Sequence, residues 1–168
     1  VKLLLEAVER EKSLSKGVHG VLANLINTAN EYELAIEMAL GQTLQNIVTD
    51  SEEEAKTLVE YLRKNNLGRA SFLPITSVKG QKISGINTHG INGFIGIASD
   101  LVDTDKKYND IILNLLGRTV IVDDIDNAVK LAKKNSYKFR IVTLKGDIIN
   151  PSGSISGGSV PNKTVSIL

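Results

Sequence analysis

The sequence predicts an α/β fold of the mixed α+β kind, assembled from two similar α/β units. Three observations carry this prediction. Apolar residues at helical spacing alternate with short β-branched runs, the same order of elements occurs twice, and each unit places a helix between two strands. Because parallel neighbouring strands need a crossover connection, we expect parallel, right-handed pairing inside each unit. A chain of 168 residues makes one domain or two small ones with a shared core.

Each element follows from its local pattern. An apolar face at Val1, Leu4, Leu5 and Val8 predicts an N-terminal helix, and Ser51 with Glu54 three residues later is a capping-box signature for a later one. Helices are predicted over residues 1–14, 31–40, 51–66, 103–116 and 124–136. Strands are predicted over residues 45–49, 69–75, 95–102, 118–123, 140–144, 148–149 and 154–156. Polar, glycine-spotted residues 76–93 predict a loop or a weak hairpin.

A repeat relates residues 39–58 to residues 115–131. In both stretches a helix ends in Leu-Gly, and a short strand then ends in an aspartate, Asp50 in one and Asp123 in the other. An alanine follows each aspartate by five residues, and a leucine follows each alanine by three. Two similar units of this size predict a pseudo-symmetric pair of subdomains.

Composition excludes several kinds of function. With no cysteine, the chain has neither a disulfide framework nor a thiolate metal site, and its two histidines, His19 and His89, are far apart in sequence. No apolar run approaches the ~20 residues of a membrane-spanning helix, so we expect no membrane role.

Catalytic and nucleotide-binding motifs are also missing. A phosphate-binding P-loop needs a Gly-Lys pair, which the chain lacks, and the dinucleotide pattern G-x-G-x-x-G is absent. The stretch 153–157 (GSISG) does not place a serine at the centre of a Gly-x-Ser-x-Gly elbow. The sequence therefore predicts neither an enzyme nor a cofactor in this domain.

Residues 151–159, PSGSISGGS, have the composition of a linker. Ile148, Ile149, Ile155 and Val160 interleave with the glycines, however, and linkers seldom carry so many β-branched apolar residues. Glycine within a strand pattern often marks the close approach of another backbone. Strand addition from a second copy of the chain would supply that backbone and give a symmetric dimer.

Four stretches in order resemble the hinge domain of the structural maintenance of chromosomes (SMC) proteins, most closely the bacterial chromosome-partition form. They are GVHGVLANLI at 17–26, AIEMALGQTLQNIVTD at 35–50, AKTLVEYLRKNNLGRASFLPI at 55–75 and LKGDIINPSGSISGGS at 144–159. The most specific parts are LGRASFLP and the final G-x6-G-x3-G-G pattern.

The resemblance implies an SMC hinge fold at the far end of a long antiparallel coiled coil. It implies four segments: the end of an incoming coiled-coil helix (1–16), subdomain I (17–100), subdomain II with the glycine-rich dimerisation segment (101–160), and the start of a returning coiled-coil segment (161–168). Two hinges of this family join as a two-fold, ring-like homodimer. The implied dimer contact comprises Gly146, Gly153, Ile155, Gly157 and Gly158.

Family hinges also bind DNA, single-stranded DNA in particular, so the resemblance implies weak auxiliary DNA binding. Residues 101–168 carry ten Lys/Arg against seven Asp/Glu, which favours this half as the basic surface. The candidate contacts are Lys133, Lys134, Lys138, Arg140 and Lys163. A nucleic-acid-binding module whose self-association is incidental remains the alternative. The implied location is the cytoplasm, in association with the nucleoid.

Overall fold

The structure, a computed structural model, describes residues 1–160 of the chain. The α-helices are α1 (Lys2–Arg10), α2 (Lys12–Ser15), α3 (Glu33–Leu40), α4 (Glu52–Lys64), α5 (Asn109–Leu116) and α6 (Ile125–Lys134). The strands are β1 (Val18–Val21), β2 (Ile26–Thr28), β3 (Ile47–Thr49), β4 (Phe72–Pro74), β5 (Phe94–Ile97), β6 (Val102–Thr104), β7 (Thr119–Val122), β8 (Arg140–Thr143), β9 (Ile148–Ile149) and β10 (Ile155–Ser156).

The strands form two main sheets and one clasp. The first sheet has the order β1-β3-β4, and the second has the order β10-β9-β8-β7-β5. The predicted parallel pairs are confirmed, because β3 runs parallel to β4 and β7 runs parallel to β8, each pair joined through a helix. Strands β2 and β6 pair antiparallel with each other and form the clasp. Within residues 1–160, this is the one strand pairing that joins the two repeated units.

The repeat extends well beyond the stretch in which its sequence is visible. Gly17 and Gly93 open the two units with positive φ, and the carbonyl of each accepts a hydrogen bond from the backbone N–H of Asp50 or Asp123, respectively. Strands β1 and β5 then pair antiparallel with β3 and β7, each with an irregularity after its first residue. A shift of 76 residues, from 17 to 93, relates the two units up to the glycines at 41 and 117.

The two units share a single main core. Its buried side chains come from α1, α3, α5 and both sheets, and include Leu4, Ile36, Ile111 and Val142. A smaller cluster lies between α6 and the second sheet, with Leu131, Phe139 and Ile141 at its centre. Burial of these apolar side chains provides the main stabilisation of the fold.

Several sequence predictions are wrong in detail. The N-terminal helix is broken at Glu11, whose backbone is extended (φ −117°, ψ 113°), and Leu14 is buried on the short helix that follows. The strand expected over 95–102 is two strands in different sheets, because a 3-10 turn at Ala98–Leu101 redirects the chain between them. Ile125, expected to face inward, is 37% exposed because the buried side of α6 begins only at Ala128.

Strand β5, placed by sequence in subdomain I, pairs with β7 of the second unit. The second sheet therefore begins at Phe94. The four-segment division at residues 16, 100 and 160 stays a prediction, and residues 161–168 lie outside the described part.

Candidate self-association surface

The glycine-rich segment forms the outermost strand of the second sheet. Strand β10 pairs antiparallel with β9, placing Ile155 opposite Ile149 and Ser156 opposite Ile148. Within the turn between the strands, the Gly153 N–H donates to the Asn150 carbonyl at 2.8 Å, and Gly153 has φ +93°. Gly153 therefore acts as a turn residue, since a left-handed backbone costs glycine little.

Two of the predicted glycines allow close approaches within the chain itself. A methyl group on Gly157 would lie 2.3 Å from the Asp147 carboxylate, and one on Gly146 would lie 3.2 Å from the Met38 side chain on α3. Any side chain at 157 would displace Asp147, which is held by a 2.9 Å hydrogen bond from the Thr143 hydroxyl. These two glycines fix the path of the chain at the ends of the β9–β10 hairpin.

The remaining two positions face away from the domain. Gly158 has φ +135°, and a methyl group there would meet no atom within 4 Å. Ile155 is 55% exposed, and the outer edge of β10 pairs with no strand of residues 1–160. An exposed strand edge with unpaired N–H and C=O groups is a template for pairing with another chain. Gly158 and Ile155 thus lie where a partner could contact them.

A second open edge lies on the first sheet. Strand β4 pairs with β3 on one side and with no other strand of the described chain on the other. Beside it is a cavity of about 290 Å³ lined by Val59, Leu62, Gly68, Arg69 and Ala70. Val59 is 37% exposed, which makes it one of four large apolar side chains exposed in residues 1–160, the others being Leu3, Ile125 and Ile155.

The repeat explains why this edge is open. In the second unit, the corresponding edge of β8 is covered by β9 in an antiparallel register, with Ile141 opposite Ile149. The first unit contains no counterpart of β9, so the equivalent edge of β4 is free. The sequence predicted a strand here but not its open edge.

A short network of polar side chains, Asp50, His19 and Tyr108, joins the two units. The His19 Nε2–H on β1 donates to Asp50 Oδ1 at 2.6 Å, and His19 Nδ1 lies 2.8 Å from the Tyr108 hydroxyl of the second unit. Burial raises the pKa of Tyr108, and the charges of Asp105 and Asp50 act in the same direction. The sequence analysis noted His19 only as distant from His89, and the structure gives it this bridging position.

The candidate DNA contacts do not share one environment. Lys133 and Lys134 are exposed at the C-terminal end of α6, and Lys138 is exposed in the connection between α6 and β8. Lys134 also donates to the His89 carbonyl. Arg140 is turned inward instead. Its Nη2 donates to the Ala39 carbonyl at 2.6 Å and to Thr119 Oγ1 at 3.2 Å, and burial lowers its pKa. Lys163 lies outside the described residues.

The charge on α6 differs from that on its equivalent in the first unit. Helix α4 opens with three glutamates and carries a fourth at Glu60, whereas α6 carries only Asp126 within its bounds against three lysines. None of the ion pairs seen in residues 1–160 includes a lysine of α6. Cations in a last helical turn also complement the helix dipole.

Two kinds of feature are missing from the described residues. Among residues 1–160, no group of three or more His, Cys, Asp and Glu side chains is placed to hold a metal ion. No helix in that range is both long and apolar enough to cross a bilayer. The absence of a cofactor stays a prediction.

Comparison with known proteins gives a consistent result. The family model for the SMC proteins flexible hinge domain matches residues 15–132. The chromosome partition protein Smc of Bacillus subtilis is 41% identical over 171 residues, and that of Clostridium kluyveri is 39% identical over 170. Each alignment covers 100% of this chain and 14% of the relative, so the chain spans about a seventh of the length of these relatives.

Solved structures show the same fold. The hinge domain of Geobacillus stearothermophilus SMC, solved as an asymmetric dimer, has a TM-score of 0.86 at 39% identity and covers 96% of this chain and 67% of that one. The Pyrococcus furiosus SMC hinge has a TM-score of 0.75 at 32% identity, covering 95% of this chain and 84% of that one. In sequence and in backbone fold, this chain belongs to the SMC hinge domain family.

Proposed function

We propose that this chain is the homodimerisation hinge of an SMC-type chromosome condensation and segregation ATPase. It joins two long coiled-coil arms into a ring or V, contributes auxiliary DNA binding and performs no catalysis itself. The observation that carries the proposal is that the edge strands β10 and β4 each have an exposed apolar side chain beside them, whereas the edge strands β1 and β5 carry none. The hinge of the Geobacillus stearothermophilus relative, solved as an asymmetric dimer, supports the self-association part of the proposal.

The two edges complement each other. Strand β10 of one copy would pair antiparallel with the open edge of β4 in the other copy. This pairing would be the counterpart of the β9–β8 pairing within one chain. Ile155 would then approach the partner's Val59 and the cavity next to it. A two-fold axis would generate the β10–β4 contact twice, because each copy provides one β10 edge and one β4 edge. Two separated contacts related by one axis form a ring.

The hinge dimer can be tested by matched substitutions on exposed isoleucines. Ile155→Asp introduces a charge at the proposed contact, and Ile125→Asp makes the same change at an exposed site on α6 outside it. We expect the wild type and Ile125→Asp to sediment as dimers and Ile155→Asp as a folded monomer, with folding checked by circular dichroism. A monomeric wild type, or an Ile155→Asp dimer of unchanged stability, would overturn the proposal.

The DNA-binding part rests on the cationic end of α6. Its test replaces Lys133, Lys134 and Lys138 with glutamine, and its control replaces Lys12, Lys56 and Lys64, three exposed lysines of α2 and α4 that lie outside the cavity beside β4. Because phosphate contacts release counterions, the first variant should bind single-stranded DNA more weakly and with a shallower salt dependence. Equal losses in both variants would contradict the assignment to α6.

The alternative, a nucleic-acid-binding module with incidental self-association, makes a different prediction. It requires the wild-type domain to be monomeric at micromolar concentration while binding DNA tightly. Sedimentation and fluorescence anisotropy on the same sample distinguish the two functions. In the full-length protein we place this hinge at the nucleoid in the cytoplasm, with ATP hydrolysis confined to a separate head domain.

A further inference from the structure

Helix α3 borders an apolar groove that the described chain leaves open. The groove has a volume of about 370 Å³, and its lining comprises Leu34, Met38, Gly41 and Leu44 together with the polar residues Glu37, Gln42 and Gln45. Leu44 is fully buried, whereas Leu34 and Met38 are only half-buried. Leaving such apolar side chains in contact with water costs free energy that a covering group would recover.

The equivalent face of α5 is covered by the chain itself. The 76-residue shift relates Leu34, Met38 and Gly41 to Asp110, Asn114 and Gly117. On α5, Lys79 forms an ion pair with Asp110, and the Lys79 carbonyl accepts a 2.7 Å hydrogen bond from Asn114 Nδ2.

The covering segment lies directly against the backbone of α5 and its C-terminal end. A methyl group on Gly80 would lie 2.2 Å from the Asn114 nitrogen, and one on Gly117 would lie 2.5 Å from the Gln81 carbonyl oxygen. The Ile83 N–H donates to the Gly117 carbonyl at 2.8 Å. An extended segment of residues 79–83 thus covers this face completely enough to bury Gly117.

Within residues 1–160, the covering of α3 begins in a similar way but is not completed. Gly146 lies against the side chains of Met38 and Leu34, whereas Gly80 lies against the backbone of Asn114, and the chain after Gly146 turns back into β9. Gly41 consequently stays exposed, and a methyl group there would meet no atom within 4 Å. Where α5 offers Asp110 and Asn114 to hydrogen-bond its cover, the corresponding positions of α3 carry Leu34 and Met38. Residues 1–160 therefore contain no complete cover for these two side chains, and a segment that fits them would supply apolar groups.

The groove adjoins the β10 edge. Gly146 forms part of the contact with α3, Asp147 is the next residue, and Gly157, immediately after β10, lies against Asp147. The groove is therefore next to the C-terminal end of β10. In antiparallel pairing, that end of a strand lies beside the beginning of its neighbour. A partner's β4 placed on β10 brings the partner's residues 67–71, which precede β4, to this place.

We propose that the α3 groove receives the segment Leu67–Ser71 of a second copy of this chain. The inference rests on the proposed dimer and adds a contact to it outside the strand pairing. The segment fits the missing cover. It is irregular rather than helical, Leu67 and Ala70 are apolar, and Gly68 at φ +85° permits a close backbone approach. Residues 67–71 of each copy would thus cover α3 of the other copy, as residues 79–83 cover α5 within one chain.

The absence of native cysteine makes the contact directly testable. Chains carrying Met38→Cys are mixed with chains carrying Ala70→Cys and treated with a short bismaleimide. A second mixture uses Ile125→Cys in place of Met38→Cys, at an exposed apolar site outside the groove. We expect a covalent heterodimer several-fold more abundant in the first mixture, with peptide mapping that joins residue 38 to residue 70 of the other copy.

Other outcomes decide against the inference. Equal yields in the two mixtures would overturn it. A Met38→Cys/Ala70→Cys double variant that cross-links within one chain would also overturn it. A Met38→Cys/Ile167→Cys double variant that cross-links within one chain would overturn it as well, because the chain's own C-terminal segment would then occupy the groove. If the wild type sediments as a dimer and position 38 does not cross-link between copies, only this inference fails. A monomeric wild type refutes the dimer itself.

Discussion

Thr28 and Thr104 make the same hydrogen bond in opposite directions. The Thr28 hydroxyl donates to the Leu101 carbonyl at 2.6 Å, and the Thr104 hydroxyl donates to the Leu25 carbonyl at 2.8 Å. Both donors and both acceptors are related by the 76-residue shift. The two bonds flank the β2–β6 pair, so the internal pseudo-two-fold axis passes through this clasp.

Replacing either threonine with valine should lower stability by a similar amount. Each change removes one hydrogen bond and leaves a partly buried carbonyl without its partner, which costs about 1–3 kcal/mol. Urea unfolding at fixed protein concentration measures the loss. A large cost for one variant and none for the other would show that the pseudo-symmetry does not extend to the energetics.

Gly157→Ala should weaken the dimer through Asp147 rather than through the partner. The added methyl group would overlap the Asp147 carboxylate and shift the end of β10. Adding Asp147→Gly should restore part of the dimer affinity, because it removes the obstructing group. Sedimentation equilibrium on the two single variants and the double variant gives the coupling. Additive losses would place the defect at the partner instead.

Arg140→Gln should destabilise the fold. The guanidinium supplies charge-assisted bonds to the C-terminal end of α3 and to Thr119, and hydrogen bonds to charged groups contribute about 1.5–3 kcal/mol. Unfolding and DNA affinity measured on the same variant separate its two roles, with Lys138→Gln as the exposed comparison. A fall in DNA affinity at unchanged stability would identify Arg140 as a DNA contact.

Tyr108 should make the domain less stable at high pH. Its pKa is raised in the folded state, so the neutral phenol is favoured there, and the stabilisation is complete below the ordinary pKa of about 10. Stability is then lost as the pH rises through the folded-state pKa, since the unfolded chain ionises first. Tyr108→Phe should flatten the stability profile above pH ~10. An unchanged alkaline slope would contradict this.

The local elements were largely predictable because local chemistry determines them. Ser51 and Glu54 form the expected capping box at the start of α4, and both helices between parallel strands lie where the apolar spacing placed them. The break at Glu11 carries no glycine or proline signal, so the local sequence did not reveal it.

The site was only partly predictable for a physical reason. Glycine content marked the β10 segment, but a sequence does not show whether a glycine accommodates its own chain or another. The structure shows Gly146 and Gly157 against their own chain, with Gly158 open. The open edge of β4 is defined by a strand that is missing, and His19 bridges to Tyr108 across 89 positions of sequence. Neither relationship has a local signal.

The clasp between β2 and β6 also bears on how many molecules assemble. A protein with two complementary edges can add copies without limit. The assembly closes into a ring only if the angle between the two edges brings the last copy into contact with the first. Edges β4 and β10 belong to different sheets, and the clasp is the strand pairing in residues 1–160 that ties those sheets to one relative orientation. In the proposed dimer, loosening the clasp would let this orientation vary, and growth into open fibres would then compete with closure at two copies. On that proposal, the two threonine bonds help to keep the assembly finite as well as to hold one molecule together.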